Sequence, residues 1–284
     1  MQWFLLILLS VIWGSSFILI KKALVVFPPE QVAALRIFLA FAALLPVAGR
    51  GLRHLQRSNI KYAFVVGAVG SGIPAFLFAT AQTHINSGTS GVLNSLTPLS
   101  TFVIGVLLFN TVFKWQKLLG VLIGLSGALT LILFSARSFG EQNLFYSSLI
   151  VLATICYAIS VNVVKKYCQN IPSATLTMAS FSLVMPFAVI YLLFFSNFSS
   201  IIQQPNAPLA LGYIAILAGV GTALANSLFF YLTQQTNALF ASSVTYGMPL
   251  VALSWGFLDG EPLSIIHFVA FALIISGVYL IYQS

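Results

Sequence analysis

SGTSGVLNSLTPLSTFVIGVLLF, from Ser87 to Phe109, and its echo ALFASSVTYGMPLVALSWGFL, from Ala238 to Leu258, decide how the chain is read. Each is apolar over the roughly 20 residues that a bilayer-crossing helix requires. Each also carries a proline near its middle, Pro98 and Pro249, at the same distance from a leading asparagine, Asn86 and Asn237. A proline removes one backbone hydrogen bond, and in lipid the freed carbonyl must find another partner. The twin prolines therefore predict kinked helices beside a polar cavity at mid-membrane, with Pro98 and Pro249 as the bending points of gating helices.

The rest of the chain agrees with a membrane setting. Of its 284 residues, 60% are hydrophobic and only 6% charged, and the mean hydropathy is +1.03. A soluble domain carries about 25% charged residues. The expected fold is an all-α membrane protein of about ten transmembrane helices, over residues 3–25, 31–49, 61–82, 87–109, 115–135, 143–166, 173–196, 209–233, 238–258 and 264–282. Loops this short leave no room for a soluble domain. The opening MQWFLLILLSVIWGSSFILIKK lacks a basic leader and a small-residue cleavage site, so it is expected to be a retained helix. Cys156 and Cys168 fall in one helix about 18 Å apart, too far to bridge.

The net charge of +8 comes from residues spread through loops and not from a clustered basic face, so no nucleic-acid partner is expected. With the N-terminus in the cytoplasm, Arg50, Arg53, Arg57, Lys61, Lys114, Lys117, Lys165 and Lys166 fall on the inner side. Lys21, Lys22 and Arg137 fall on the outer side. Positive charge is retained on the cytoplasmic side, which predicts both termini inside. Arg36 is the one basic residue inside a span; about 9 Å from its helix start, it is expected to snorkel to the interface, with contact to an anion as the alternative.

The two halves of the chain repeat. Ser10, Trp13, Ser16, Lys21 and Lys22 recur 144 positions later as Thr154, Tyr157, Ser160, Lys165 and Lys166. Tyr62, Gly70, Phe78, Asn86, Pro98 and Gly105 recur 151 positions later as Tyr213, Gly221, Phe229, Asn237, Pro249 and Gly256. The repeats are placed at residues 1–138 and 139–284. Five spans per copy is an odd number, so the second copy enters the membrane from the opposite side. Two inverted five-helix repeats are the build of many secondary transporters, with the site near the midplane between them.

Helical spacing then selects candidate cavity residues: Trp13 and Ser16 on the first span, Phe78 and Gln82 on the third, Asn94 and Thr97 on the fourth. Their counterparts are Tyr157 and Ser160 on the sixth span, Asn226 and Phe229 on the eighth, and Thr245 on the ninth. Faces of this kind, if they converge, enclose an aromatic cavity with neutral hydrogen-bonding groups, suited to a small amphipathic or zwitterionic solute. Single serines, threonines or asparagines in membrane helices commonly serve as interhelical glue. Several polar stripes on repeat-related helices favour the cavity.

Only four acids are present, Glu30, Glu141, Asp259 and Glu261, all near span ends. An exporter that trades protons for cationic drugs needs a carboxylate at membrane depth, so that mode is disfavoured. No metal-binding or catalytic set lies at membrane depth either, so neither cofactor nor intramembrane enzyme is expected. A non-transporting scaffold or sensor, or an uptake carrier, is the alternative to an exporter. The chain is expected to act as a monomer or a weak homo-oligomer in the bilayer.

WGSSF at 13–17, ALRIFLA at 34–40, the proline-centred fourth and ninth spans and GFLDGEPLS at 256–264 make the chain resemble the drug/metabolite transporter superfamily, in its EamA-like ten-helix branch. The resemblance covers nearly the full length. It implies a basket of helices in two inverted halves, with a cavity lined by the first, third, fourth, sixth, eighth and ninth helices and with the fifth and tenth packed at one side. It also implies outward movement of amino acids or similar metabolites, and a bacterial cytoplasmic membrane location. One departure is plain: Asn110 stands where an acid is usual, opposite Glu261 in the second repeat.

Overall fold

The computed structural model describes residues 1–51, 56–112, 115–139 and 142–283. Arg53, Lys114 and Glu141 lie outside the described residues, as do the side chains of Arg50, Lys117 and Arg137.

The described residues form ten long helical segments: α1 (Gln2–Ala23), α2 (Pro29–Gly51), α3 (Arg57–Ala81), α4 (Ser87–Phe109), α5 (Trp115–Phe139), α6 (Gln142–Tyr167), α7 (Ser173–Phe195), α8 (Ala207–Gln235), α9 (Ala238–Leu258) and α10 (Ile265–Gln283). Among the described residues, eight are long and apolar enough to cross a bilayer, and shorter apolar stretches, Leu118–Thr130 and Ile265–Gly277, lie in α5 and α10. Turn chemistry sets the boundaries. α2 starts on Pro29, whose missing N–H is no loss at a first turn, with Glu30 complementing the positive end of the helix. α4 ends where Asn110 enters the left-handed region at φ 60°, a conformation asparagine tolerates. The structure thus gives Asn110 a helix-ending role.

α1 packs on α8 and α9, α6 on α3 and α4, and α2 on α7 and α8. α5 and α10 pack chiefly against each other, with α5 also touching α6. Glycine makes that approach possible: a methyl group on Gly277 would lie 2.4 Å from the Gly120 carbonyl oxygen, and one on Gly127 would lie 2.8 Å from that of Ala270. Small residues let membrane helices come this close, where packing rather than water drives association.

The prolines correct one expectation. Neither α4 nor α9 is a continuous helix bent at proline. α4 stops at Asn94, passes through Ser95 and Leu96, and restarts at Thr97 with Pro98 in its first turn. α9 runs helically to Ser242, tightens into a 3₁₀ stretch from Ser243 to Tyr246, and restarts at Met248 with Pro249 in its first turn. Proline is tolerated there because the first-turn N–H has no intrahelical partner to lose. Hydroxyls take up the loosened carbonyls: Ser95 Oγ donates to Val92 O at 2.5 Å and Thr97 Oγ1 to Asn94 O at 2.7 Å. In α9, Ser243 Oγ donates to Phe240 O at 2.6 Å and Thr245 Oγ1 to Ser242 O at 2.9 Å.

α3 and α8 each contain a widened π turn, at Ala68–Gly72 and Gly219–Leu224. The two begin 151 positions apart, the offset of the sequence repeat. Pro74 follows the first and Ala225 stands at the matching place after the second, so proline does not account for both. What they share is a glycine pressed on a serine from the other half. A methyl on Gly70 would lie 2.4 Å from Ser160 Oγ, and one on Gly221 would lie 2.9 Å from Ser16 Oγ.

Candidate functional site

The π turn of α3 lines a cavity of about 80 Å³ through Gly70 and Ser71, and α8 contributes Asn226, Phe229 and Phe230 from just beyond its own π turn; the space is well above the ~10–15 Å³ that one water needs. Trp13, Ser16, Phe78, Asn94, Thr97, Tyr157, Ser160, Asn226, Phe229 and Thr245 all line it. α1, α3, α4, α6, α8 and α9 supply these residues, and Arg36 adds α2 to the wall.

Aromatic rings form much of the surface. Trp13 meets Phe229 edge-on with centroids 5.0 Å apart, and Phe78 lies 5.7 Å from Phe17 and 6.1 Å from Tyr157. Polar groups hold the rings and helices in place. Trp13 Nε1 donates to Gly221 O at 2.9 Å, so the carbonyl loosened by the π turn of α8 is met by an indole from α1. Thr222 Oγ1 donates to Leu217 O at 2.8 Å within the same turn. Asn226 Nδ2 donates to Ser71 Oγ at 3.0 Å and links α8 to α3. Asn94 Nδ2 faces Met248 Sδ at 3.5 Å and links the interruptions of α4 and α9.

Gln82 does not reach the cavity. Its Nε2 donates to Phe17 O at 3.0 Å and approaches Ser87 Oγ at 3.5 Å, tying the end of α3 to α1 and to the start of α4. Helical phase put Gln82 in line with Phe78, but its amide crosses to the carbonyl of Phe17 in α1 and does not turn to the cavity. Pro98 and Pro249 are not among the residues lining the cavity; they sit immediately behind it, at the restarts of α4 and α9.

Arg36 is the chief residue that the sequence reading misplaced. It does not extend to the membrane surface. Its Nε donates to Thr222 Oγ1 at 2.8 Å, and the side chain lines the cavity. Snorkelling requires a helix face turned to lipid, whereas this part of α2 packs inside the bundle against α7 and α8. The signal that could have found it is the rarity of an arginine at membrane depth, where such residues turn to a wet interior. Ser71, Ser242 and Met248 join the lining too. Among the described residues, no group of His, Cys, Asp and Glu side chains could hold a metal ion.

One face of the bundle is closed by charge. Lys21 Nζ, at the end of α1, lies 2.7 Å from Asp259 Oδ2 and 2.9 Å from Glu261 Oε1, and Lys22 pairs with Asp259. Glu261 is buried and also accepts the backbone N–H groups of Ser87 and Gly88 at 3.1 and 3.2 Å, at the start of α4. The ends of α1 and α9 and the beginning of α4 are thereby joined. Hydrogen bonding to Lys21, then to Lys22, holds the Asp259 carboxyl below the usual carboxylate range. On the opposite face the matching lysine, Lys165, finds among the described residues the carbonyl oxygens of Gln234 and Thr236 and no carboxylate.

Comparisons with known proteins point the same way. The sequence model of the EamA-like transporter family matches residues 1–133 and again 144–283. Over 96% of its length the chain is 28% identical to the Uncharacterized inner membrane transporter YedA of Escherichia coli K12, 88% of which is covered. It is 26% identical to the Probable amino-acid metabolite efflux pump of Salmonella typhimurium LT2, over 98% of this chain and 93% of that one. A crystal structure 15% identical in sequence superposes with a TM-score of 0.65 over 97% of each chain, a likeness of fold.

Proposed function

The chain belongs to the EamA-like transporter family and is a multi-pass membrane transporter of small molecules, and we propose that it exports amino acids or similar small metabolites by alternating access. The observation that carries the reading is a cavity enclosed by interrupted helices from both halves, beside the repeat-related π turns of α3 and α8. The halves, 1–138 and 139–284, would rock about that cavity in opposite senses. The breaks before Pro98 and Pro249 supply the bending points, since a helix already interrupted changes direction without losing further backbone bonds. The two separate stretches matched by the family model support the division into halves.

Trp13, Ser16, Phe78, Asn94, Thr97, Tyr157, Ser160, Asn226, Phe229 and Thr245 would contact the solute, while Gln82 keeps the α3–α4 corner in place. Export and the amino-acid class are supported by the Salmonella relative, which is named a probable amino-acid metabolite efflux pump. Location in a bacterial cytoplasmic membrane with both termini inside is supported by the lysine and arginine distribution. The unit of function is a monomer or weak homo-oligomer.

A proteoliposome flux screen over the amino acids, with and without a pH gradient, tests the proposal, with the double variant Asn94→Leu and Asn226→Leu as control. The expected result is flux of at least one amino acid that the double variant lowers while remaining folded in the membrane. Full flux in the double variant refutes the site. Cells overexpressing the chain should resist toxic amino-acid analogues; greater sensitivity would refute export.

A further inference from the structure

Arg36 is a cation in search of an anion. Its guanidinium remains protonated at any biological pH, and taking such a charge out of water without compensation costs several kcal/mol. Nε is satisfied by Thr222 Oγ1 at 2.8 Å. Among the described residues, no carboxylate lies within ion-pair distance of it, and no hydrogen bond is made by its two Nη groups. Asp259 and Glu261 are engaged with Lys21 and Lys22 at the end of the bundle. Among the described residues, the cavity lining that includes Arg36 also includes Tyr157 but contains no acid.

We infer that the Nη fork of Arg36 is the docking point for the carboxylate of the transported solute, and that the cavity prefers a net monoanion with an apolar body to a zwitterion of the same skeleton. The inference rests on the carrier reading and narrows its substrate class. Two Nη groups in one plane match the two oxygens of a carboxylate. A single guanidinium balances one negative charge, which a phosphate dianion exceeds. The remaining walls are rings and neutral groups: Trp13, Phe78, Tyr157 and Phe229 offer apolar contact, and Asn94 and Thr97 offer hydrogen bonds. An ammonium group would meet no acid there, so a bound zwitterion leaves the cavity with one uncompensated positive charge. A bound monoanion leaves none.

Three probes that share a phenylethyl core separate the cases: 3-phenylpropanoate, phenylalanine and phenethylamine, which are anion, zwitterion and cation near pH 7. Equilibrium binding of radiolabelled 3-phenylpropanoate to the full-length protein in detergent is measured with the other two as competitors. Flux of all three is then followed in proteoliposomes. The expected order is 3-phenylpropanoate tighter than phenylalanine by about tenfold or more, a margin in keeping with one charge-assisted pair, with phenethylamine not competing. Arg36→Gln should remove the preference, and Arg36→Lys, which keeps the charge but not the fork, should restore part of it. Equal binding of the anion and the zwitterion, or an Arg36→Gln protein that keeps the preference, overturns the inference. If phenylalanine is carried at an undiminished rate by Arg36→Gln, the anion site falls and the carrier reading stands. If neither these probes nor any amino acid is moved by the unaltered protein, both fall.

Discussion

Glu261 Oε1 accepts a hydrogen bond from Lys21 Nζ at 2.9 Å, across 240 positions of sequence, and the same carboxylate caps the start of α4 through Ser87 and Gly88. Removing one partner of a fully buried ion pair costs about 3–5 kcal/mol. The Lys21 side chain keeps 35% of its exposure, so screening brings the expected loss for Glu261→Gln down to about 1–2 kcal/mol. Thermal unfolding of the purified protein in detergent measures it. Glu261→Ala should lose more, since Ser87 and Gly88 then have no acceptor. Equal losses would mean that the cap contributes nothing.

Acid should loosen the same corner. The folded Asp259 carboxyl titrates below its ordinary value of 3.8 because of its hydrogen bonds to Lys21 and Lys22. Its contribution to stability is therefore complete above the ordinary value and is lost as the pH falls through the lower, folded one. Asp259→Asn should melt below the unaltered protein at about pH 7, and the gap between the two curves should shrink as the pH falls below 3.8. A gap that persists undiminished in acid would show that the carboxylate's charge is not what Lys21 and Lys22 read.

Gly70 and Ser160 test the cross-half contact at the π turn of α3. A methyl on Gly70 would stand 2.4 Å from Ser160 Oγ but 3.1 Å from its Cβ. Gly70→Ala alone should destabilise by about 1–3 kcal/mol, the usual cost of overpacking. Adding Ser160→Ala removes the oxygen in the way and should recover most of that loss in a double-mutant cycle of melting temperatures. Additive losses would exclude the contact. The same cycle at Gly221 and Ser16 should behave alike, since those four positions are related by the repeat.

Glycines in the bundle differ sharply in what surrounds them. Gly277→Ala drives a methyl toward the Gly120 carbonyl and the Gly124 backbone, none of which can yield as a flexible side chain would. The α5–α10 pair should open, with a stability loss of about 1–3 kcal/mol. Gly212 has nothing within 4 Å of an added methyl, so Gly212→Ala should be neutral or gain up to about 1 kcal/mol from helix propensity. Parallel melting curves decide it; equal losses at the two positions would refute the packing argument.

Hydropathy and the two sequence offsets carried most of the architecture, because span length and repeated polar landmarks are properties of residues near one another in the chain. The interruptions were legible as proline positions, but not as helix restarts. That outcome depends on which carbonyls the hydroxyls of Ser95, Thr97 and Thr245 can reach. The π turns left no local mark, since what they have in common is contact with serines from the other half. Helical phase separated cavity residues such as Asn94 and Asn226 from the polar background, yet it placed Gln82 with them and left Arg36 at the surface. Both errors have one origin: phase gives direction around a helix and says nothing about which neighbour, lipid or water waits there.

Among the described residues, the lysine and carboxylate ties on one side have no charged equivalent across the bundle, where Lys165 donates to carbonyl oxygens. If the two halves rock as proposed, matching closures would let them spend equal time in either shape. With the symmetry broken at one rim, the molecule would instead have a parking position, and one stroke would pull apart a carboxylate clasp with no comparable clasp to undo on the other.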